Sequence, residues 1–376
     1  MIRIFVTGDN HIGKKYDGYP EIRTVLVQNR LDCLKDMVRH AEEEGCELFV
    51  VTGDLFDSVR TVSVQDVRTT AEILKCFDGN VLVLPGNHDY YTGEEKVWKD
   101  FQNALGSGSN VLLLTEMRPV TLEAGGEELV IYPAYCQSKH SKENNLGWIR
   151  AISMPEEQFH IGIAHGAIQG ITPDMNGEYF LMTERELNAI PVDAWLIGHT
   201  HIPFPKLAED TDTEGYKIFN AGTHQQTDYH NNTEGYGFVL TLSRRDGKKT
   251  VAAHSRRSGK IRFYDLAVEV RPGEKLADAI DRTVGTLQDA SVVRITISGT
   301  VPEEDYENRG EIYKAALSRF LTYEGPIDHE LSELITEERI KAEFAEIGFA
   351  AELLCRLTEE PKEVQMAYAL LKKYQD

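Results

Sequence analysis

Five short apolar runs, each broken off into carboxylate, amide or imidazole side chains, constrain this chain more than any other feature. IRIFVT (2–7) stops at Gly8-Asp9-Asn10-His11, and LFVVT (48–52) stops at Gly53-Asp54-Leu55-Phe56-Asp57. NVLVLP (80–85) stops at Gly86-Asn87-His88-Asp89, FHIGIA (159–164) at His165, and AWLI (194–197) at Gly198-His199-Thr200-His201. Runs of this length rich in Val, Ile and Phe read as buried strands. Between the first three, Ile22–Glu44 and Ser63–Phe77 carry helical spacing, so the chain opens as βαβαβ and predicts a parallel or mixed sheet covered by helices. Ligands of open α/β sheets collect at the carboxyl ends of the strands. All five motifs fall there, and the glycine that precedes the polar group at four of them would let the backbone turn sharply.

The donor arithmetic points to two metal ions. Asp9, His11, Asp54, Asn87, His165, His199 and His201 are seven side chains. If the Asp54 carboxylate bridges, Asp9, His11, Asp54 and His201 serve one ion, and Asp54, Asn87, His165 and His199 serve the other. Carboxylate, amide and imidazole without thiolate suit Mn²⁺, with Fe²⁺ or Zn²⁺ as alternatives. Two ions about 3.5–4 Å apart favour hydrolysis of a phosphate ester. His88, next to the ligand Asn87, is the candidate for stabilising or protonating the leaving oxygen. Asp57 could accept a hydrogen bond from the other His88 nitrogen and raise its basicity, or else cap the following helix. His224 and His230, in the loop after the His199-Thr200-His201 strand, are two further histidines able to approach the site.

Composition narrows the partners. The formal net charge is −21 over 376 residues, which excludes a protein that coats nucleic acid with its whole surface. Residues 244–262 are the exception: eight Lys or Arg against Asp246 give this stretch +7 and the remainder −28. Arg256 and Arg257 within it, and Lys14, Lys15 and Tyr16 just after the first ligands, are the candidate substrate contacts. The five cysteines are scattered and form no Cys-x-x-Cys pair, as expected of reduced thiols in a cytoplasmic protein. No apolar stretch approaches the roughly 18 residues of a membrane span, and the first residues form a strand in place of a leader.

The chain reads as two domains: 1–260, holding every motif, and 261–376, a small α/β unit. The second unit reads as strand 261–270, helix 275–289, strand 292–298, helix 308–321, and amphipathic helices near 335–358 and 361–374. In the last two, Ile340, Phe344, Ile347, Ala351, Leu354 and Leu357, then Val364, Met366, Ala367, Leu370 and Leu371, form apolar stripes. These stripes either pack on their own domain or dock a partner helix.

In order and spacing, D-x-H, GDxxD, GNHD, a lone His and GHTH resemble the calcineurin-like metallophosphoesterase superfamily. Within it, GDLFD, LPGNHD and the small α/β tail are similar to the bacterial SbcD and YhaO-type DNA-repair exonucleases, relatives of the meiotic-recombination nuclease. The resemblance implies a two-sheet αββα sandwich with a small C-terminal α/β capping domain. It implies Mn²⁺-dependent exonuclease and endonuclease action on DNA, with an SbcC-like coiled-coil ATPase as partner. A homodimer is a further expectation, and a membrane partner is not. A phosphatase or phosphodiesterase for a small molecule or protein is the alternative. A non-catalytic scaffold is disfavoured because all seven donors are present.

Overall fold

The computed structural model describes every residue except 173, 175, 207–212, 214, 272, 345–347, 359 and 375–376. It divides into two compact units, Met1–Ile261 and Arg262–Asp376. In chain order the first unit contains β1 (Ile2–Thr7), α1 (Arg23–Glu43), β2 (Leu48–Val51), α2 (Val64–Lys75), β3 (Asn80–Val83), α3 (Lys96–Leu105) and β4 (Val111–Leu113). There follow β5 (Val120–Ala124), β6 (Glu127–Ala134), β7 (Phe159–His165), α4 (Glu184–Ala189), β8 (Ala194–Gly198), β9 (Ile218–Phe219), β10 (Tyr236–Arg245) and β11 (Lys248–Arg257).

These strands make a six-stranded sheet, β11-β10-β1-β2-β3-β4, and a five-stranded sheet, β5-β6-β7-β8-β9. Side-chain alternation explains how they stack. Ile2, Ile4 and Val6 of β1, with Leu48, Val50 and Leu82, pack against Ile131, Ile161, Ile163 and Leu196 of the other sheet. The intervening Phe5, Phe49, Val51, Val81 and Val83 face helices α1 to α3. On the outer face of the five-stranded sheet, Tyr132, Trp195 and Ile197 meet Leu187 of α4 and Ile190. Helix, sheet, sheet, helix is the αββα sandwich. Because the central strands are covered on both faces, they read as continuous apolar runs. Truncating one, as in Leu196→Ala, costs about 2–5 kcal/mol.

Two local features differ from the sequence reading. Ser63, not Asp57, caps α2, its hydroxyl accepting from the Asp66 amide at 3.0 Å. Helix α3 was not anticipated, although Val97, Trp98, Phe101 and Leu105 bury one helical face. All five cysteines are free thiols.

The second unit contains β12 (Arg262–Val270), α5 (Leu276–Val284), β13 (Ser291–Val301), α6 (Glu303–Glu307), α7 (Arg309–Leu317), β14 (Thr322–Glu333), α8 (Glu337–Glu343), α9 (Phe349–Arg356) and α10 (Pro361–Lys373). Its sheet, β12-β13-β14, is parallel throughout. β14 is absent from the sequence reading, and it contains Pro326, a residue that central strands exclude. It is an edge strand, where a residue without an N–H is tolerated. The C-terminal helices build a core of their own from Ile335, Ile340, Phe344, Ala351, Leu354, Val364 and Tyr368. So the stripes pack on their own unit through these residues, while Met366 and Leu370 of the second stripe, with Phe349 and Tyr374, are exposed. Ile347 lies outside the described residues. No helix among the described residues is long and apolar enough to cross a membrane.

Candidate metal centre

β1, β2 and β3 are mutually parallel, and so are β7 and β8. The segments after β1 and β2 continue their ladder beyond the sheet: Asp9 N–H donates to Gly53 O at 3.0 Å and His11 N–H to Asp54 O at 2.9 Å. This fixes the first two motifs in register. The turning falls mostly to the ligands themselves. Asp9, His11, Asp54, His199 and His201 have φ of 49°, 43°, 52°, 108° and 55°, a left-handed backbone that costs non-glycine residues energy and persists where surroundings enforce it. Of the four glycines expected to turn the chain, Gly53 alone has positive φ, 107°. Gly86 and Gly198 are needed for close approach: a Cβ would overlap Asp54 at the first and Thr52 O at the second.

The structure brings all seven expected donors together. Asp9, His11 and His201 place one ligand atom each within 4.8 Å of one another, and so do Asp54, His165 and His199. His11 Nε2 lies 3.0 Å from His201 Nε2. Asn87 Oδ1 lies 3.0 Å from both His165 Nε2 and His199 Nδ1. Asp54 Oδ2 stands between the groups, 3.3 Å from His165 Nε2 and 3.7 Å from His11 Nε2. Imidazole nitrogens, an amide oxygen and carboxylates converging at such distances fit a pair of divalent cations: one imidazole pair and one amide oxygen shared by two rings leave lone pairs facing inward.

Surrounding groups orient these donors. His165 Nδ1 is 2.9 Å from Thr52 O, so its N–H donates there and frees Nε2 to bind. Asp57 departs from expectation. Its carboxylate lies 3.2 Å from His11 Nδ1, while His88 Nδ1 meets the Asp57 main-chain carbonyl at 3.1 Å. Asp57 therefore fixes the tautomer of a metal donor, and its hydrogen bond to His88 is made by the main-chain carbonyl, with the carboxylate, His11 and His88 placing one ligand atom each within 4.8 Å of one another. The His88 ring sits edge-on to His11, centroids 4.8 Å apart.

The sequence reading gave no role to Asp89. Its buried carboxyl accepts from Gly86 N at 2.7 Å and Phe56 N at 2.9 Å, tying the third motif to the second. The signal was its place as the last residue of the GNHD run. Burial pushes Asp89 up to about 8 and Asp9 up to about 7. Asp54 is held well below the carboxylate range: the charge of His165, its hydrogen bond and His11 outweigh burial. Burial lowers His199 to about 4 with help from His165, so that ring is neutral and able to donate its lone pair at neutral pH.

The proposed substrate contacts fare differently. Lys14 is half-buried and Lys15 exposed. Tyr16 is 7% exposed, and its hydroxyl accepts from Arg30 at 3.3 Å, which removes it from any substrate surface. Arg256 pairs with Glu44, and Arg257 with Glu234 at 3.3 Å. Arg244, Lys249 and Lys260 are likewise paired, with Glu127, Asp193 and Asp36. The pairing Ile2↔Leu242 also sets the β10–β11 turn at the start of β1, away from the ligand-bearing strand ends. His224 is buried with Nε2 2.9 Å from Arg30 O, and His230 is exposed; neither joins a donor group.

A family model described as calcineurin-like phosphoesterase matches residues 2–203. The chain belongs to the calcineurin-like phosphoesterase family. The matched span holds all seven donors, and the family works with a dinuclear metal centre. Among solved structures, this family member is similar to the calcineurin-like phosphoesterase YfkN from Bacillus subtilis at 15% identity, over 68% of this chain and 89% of that one, with a TM-score of 0.38. It is similar to a dimetal phosphatase from Danio rerio at 13% identity, over 68% and 99%, with a TM-score of 0.39. Similarity to the NAD nucleotidase of Haemophilus influenzae is 10%, over 67% and 48%, with a TM-score of 0.41.

Proposed function

We propose that this phosphoesterase is a Mn²⁺-dependent phosphodiesterase that cuts DNA as an exonuclease and endonuclease in repair. The observation that carries the hydrolytic reading is the convergence of two donor groups on Asp54 with His88 beside them. Asp9, His11, Asp54 and His201 would hold one cation, and Asp54, Asn87, His165 and His199 the other. When bound, the two ions supply Lewis-acid stabilisation of the phosphoryl oxygens and a water acidic enough to attack near neutral pH. The protein's own part is to aim and to protonate. Thr52 O and Asp57 hold the His165 and His11 rings in their binding tautomers. His88, anchored through Nδ1 on the Asp57 carbonyl, keeps Nε2 for the substrate and as an imidazolium donates its proton to the leaving oxygen.

DNA as the substrate rests on the motif resemblance to SbcD and YhaO-type nucleases, supported by Lys14 and exposed Lys15 beside the first donors. On this reading, a coiled-coil ATPase partner would use the exposed apolar residues Met366, Leu370 and Tyr374 of the C-terminal helix. The second reading, a hydrolase for a small phosphate ester, is favoured by the ion pairing of the 244–262 stretch. Digestion of end-labelled duplex and single-stranded DNA with Mn²⁺, beside a chromogenic phosphodiester and with Asp54→Asn as control, separates them. Cleavage of both substrate types supports the nuclease. Turnover of the chromogenic ester with intact DNA supports the second reading, and no turnover of either removes the phosphodiesterase.

A further inference from the structure

Arg30 is 1% exposed, yet among the described residues no carboxylate is a hydrogen-bond partner of it. A buried guanidinium normally takes an anionic partner, because removing the charge from water costs several kcal/mol. Here the compensation comes from oxygen dipoles. Nε donates to Asn10 O at 2.8 Å, and Nη2 donates to the same carbonyl and to Asp9 O at 3.4 Å. Nη1 donates to Gln225 O at 3.1 Å and to the Tyr16 hydroxyl, and Nη2 also reaches Thr223 Oγ1 at 3.5 Å. Thr223 Oγ1 in turn donates to Asp9 O at 2.8 Å.

Two of those carbonyls belong to the turn that carries Asp9 and His11. Asp9 and His11 have positive φ, so in a free chain the turn would relax to commoner backbone angles and swing both donors away from His201. With both carbonyls aimed at one rigid planar fork, that relaxation strips hydrogen bonds from a buried cation. The same fork ties the turn to nearby Tyr16 and to the 223–225 segment, which is remote in sequence, so all three share one anchor. We infer that Arg30 is a positioning residue: it clamps the Asp9–His11 turn in its left-handed form and so preorganises the cation site of Asp9, His11 and His201.

The inference rests on the dinuclear reading of the site, and it makes a prediction of unusual sign. A positive charge near a cation site repels the cation, so deleting the charge alone would tighten Mn²⁺ binding. Deleting a clamp loosens it. Mn²⁺ binding to the full chain is followed by calorimetry and by paramagnetic resonance, for wild type, Arg30→Met and Arg30→Lys. Wild type is expected to bind two ions. Arg30→Met is expected to weaken one site at least tenfold, leave the other within threefold, and convert the spin-coupled pair to a single-ion spectrum. Arg30→Lys, which keeps the charge but not the fork, falls between. Unchanged or tighter binding at both sites in a folded Arg30→Met overturns the clamp, as does equal weakening of both, which marks general loosening. If Arg30→Met fails to fold, Arg30→Lys carries the test, and two wild-type affinities in it overturn the inference. A wild-type chain that binds fewer than two ions overturns instead the reading of the site on which the clamp depends.

Discussion

Asp54 has one carboxylate and two donor groups to serve, which makes it the residue whose loss the site tolerates least. Its Oδ2 lies near both His11 and His165, and its Oδ1 accepts from the His88 amide at 2.8 Å. Asp54→Asn keeps the shape and removes the shared negative charge, so metal analysis should find both ions lost or weakened and turnover abolished. Two retained ions with normal turnover would show that the carboxylate is not shared. His88→Gln should leave the metal content intact and slow turnover by about 10²–10⁴-fold, the usual contribution of a positioned acid. Loss of a metal would instead make His88 a ligand. Asp57 separates the sequence reading from the structure. As the partner of His11 Nδ1, it should on conversion to Asn weaken metal binding about 10–100-fold, as outer-shell partners of ligating histidines do. Unchanged metal affinity, with only turnover reduced, would return Asp57 to the role first expected of it beside His88. The close contact of that carboxylate is His11 and not His88, because sequence distance says which residues can meet and side-chain direction decides which do. His11, from another strand, is not near Asp57 in the chain.

At the scale of the elements, the strand ends were legible and their mechanics were not. Each apolar run stops where its motif begins, because a strand covered on both faces has to be apolar and a metal donor cannot be. The preceding glycines were visible too. Yet the left-handed backbone sits largely on the ligands, and Gly86 and Gly198 serve contacts made by other strands, which no local pattern records. Two elements escaped: α3, although Val97, Trp98, Phe101 and Leu105 stand at helical spacing, and β14, which contains a proline tolerated at the sheet edge. The C-terminal helices permit a test by pH. Burial opposes ionisation of Glu343, but Lys372, Tyr368 and Arg339 outweigh it and hold the carboxyl at about 2. A depressed acid stabilises fully above its unfolded value of about 4.3 and loses that contribution as pH falls toward the folded value. Urea melts of the full chain should show Glu343→Gln less stable than wild type at pH 6, with the gap closing between pH 4.5 and 2. The exposure of these side chains keeps the difference small. A gap that stays constant or widens on acidification would mean the carboxylate does not hold these helices together.

For the molecule as a whole, charge and site pull in different directions. The net charge is −21, and the basic stretch that stood out in the sequence is largely spent on Glu127, Asp193, Glu44, Glu234 and Asp36. Counting charges along a chain reveals where cations are, but only the fold shows which are already neutralised. On the proposed nuclease reading, DNA would therefore depend on Lys14 and Lys15 to reach the centre. Alanine at both is expected to raise KM for duplex DNA and leave hydrolysis of a small chromogenic diester unchanged, whereas Arg256→Ala should alter neither. Equal loss on both substrates from the lysine pair would make those residues part of the hydrolytic site itself. The central claim is simpler than any of these: seven side chains from five strand ends form one two-ion centre joined by Asp54. Anomalous diffraction at the manganese edge from crystals soaked in Mn²⁺ tests it directly. The account predicts two peaks about 3.5–4 Å apart, one among Asp9, His11 and His201, the other among Asn87, His165 and His199, with Asp54 touching both. A single peak, or two that Asp54 does not bridge, would contradict it.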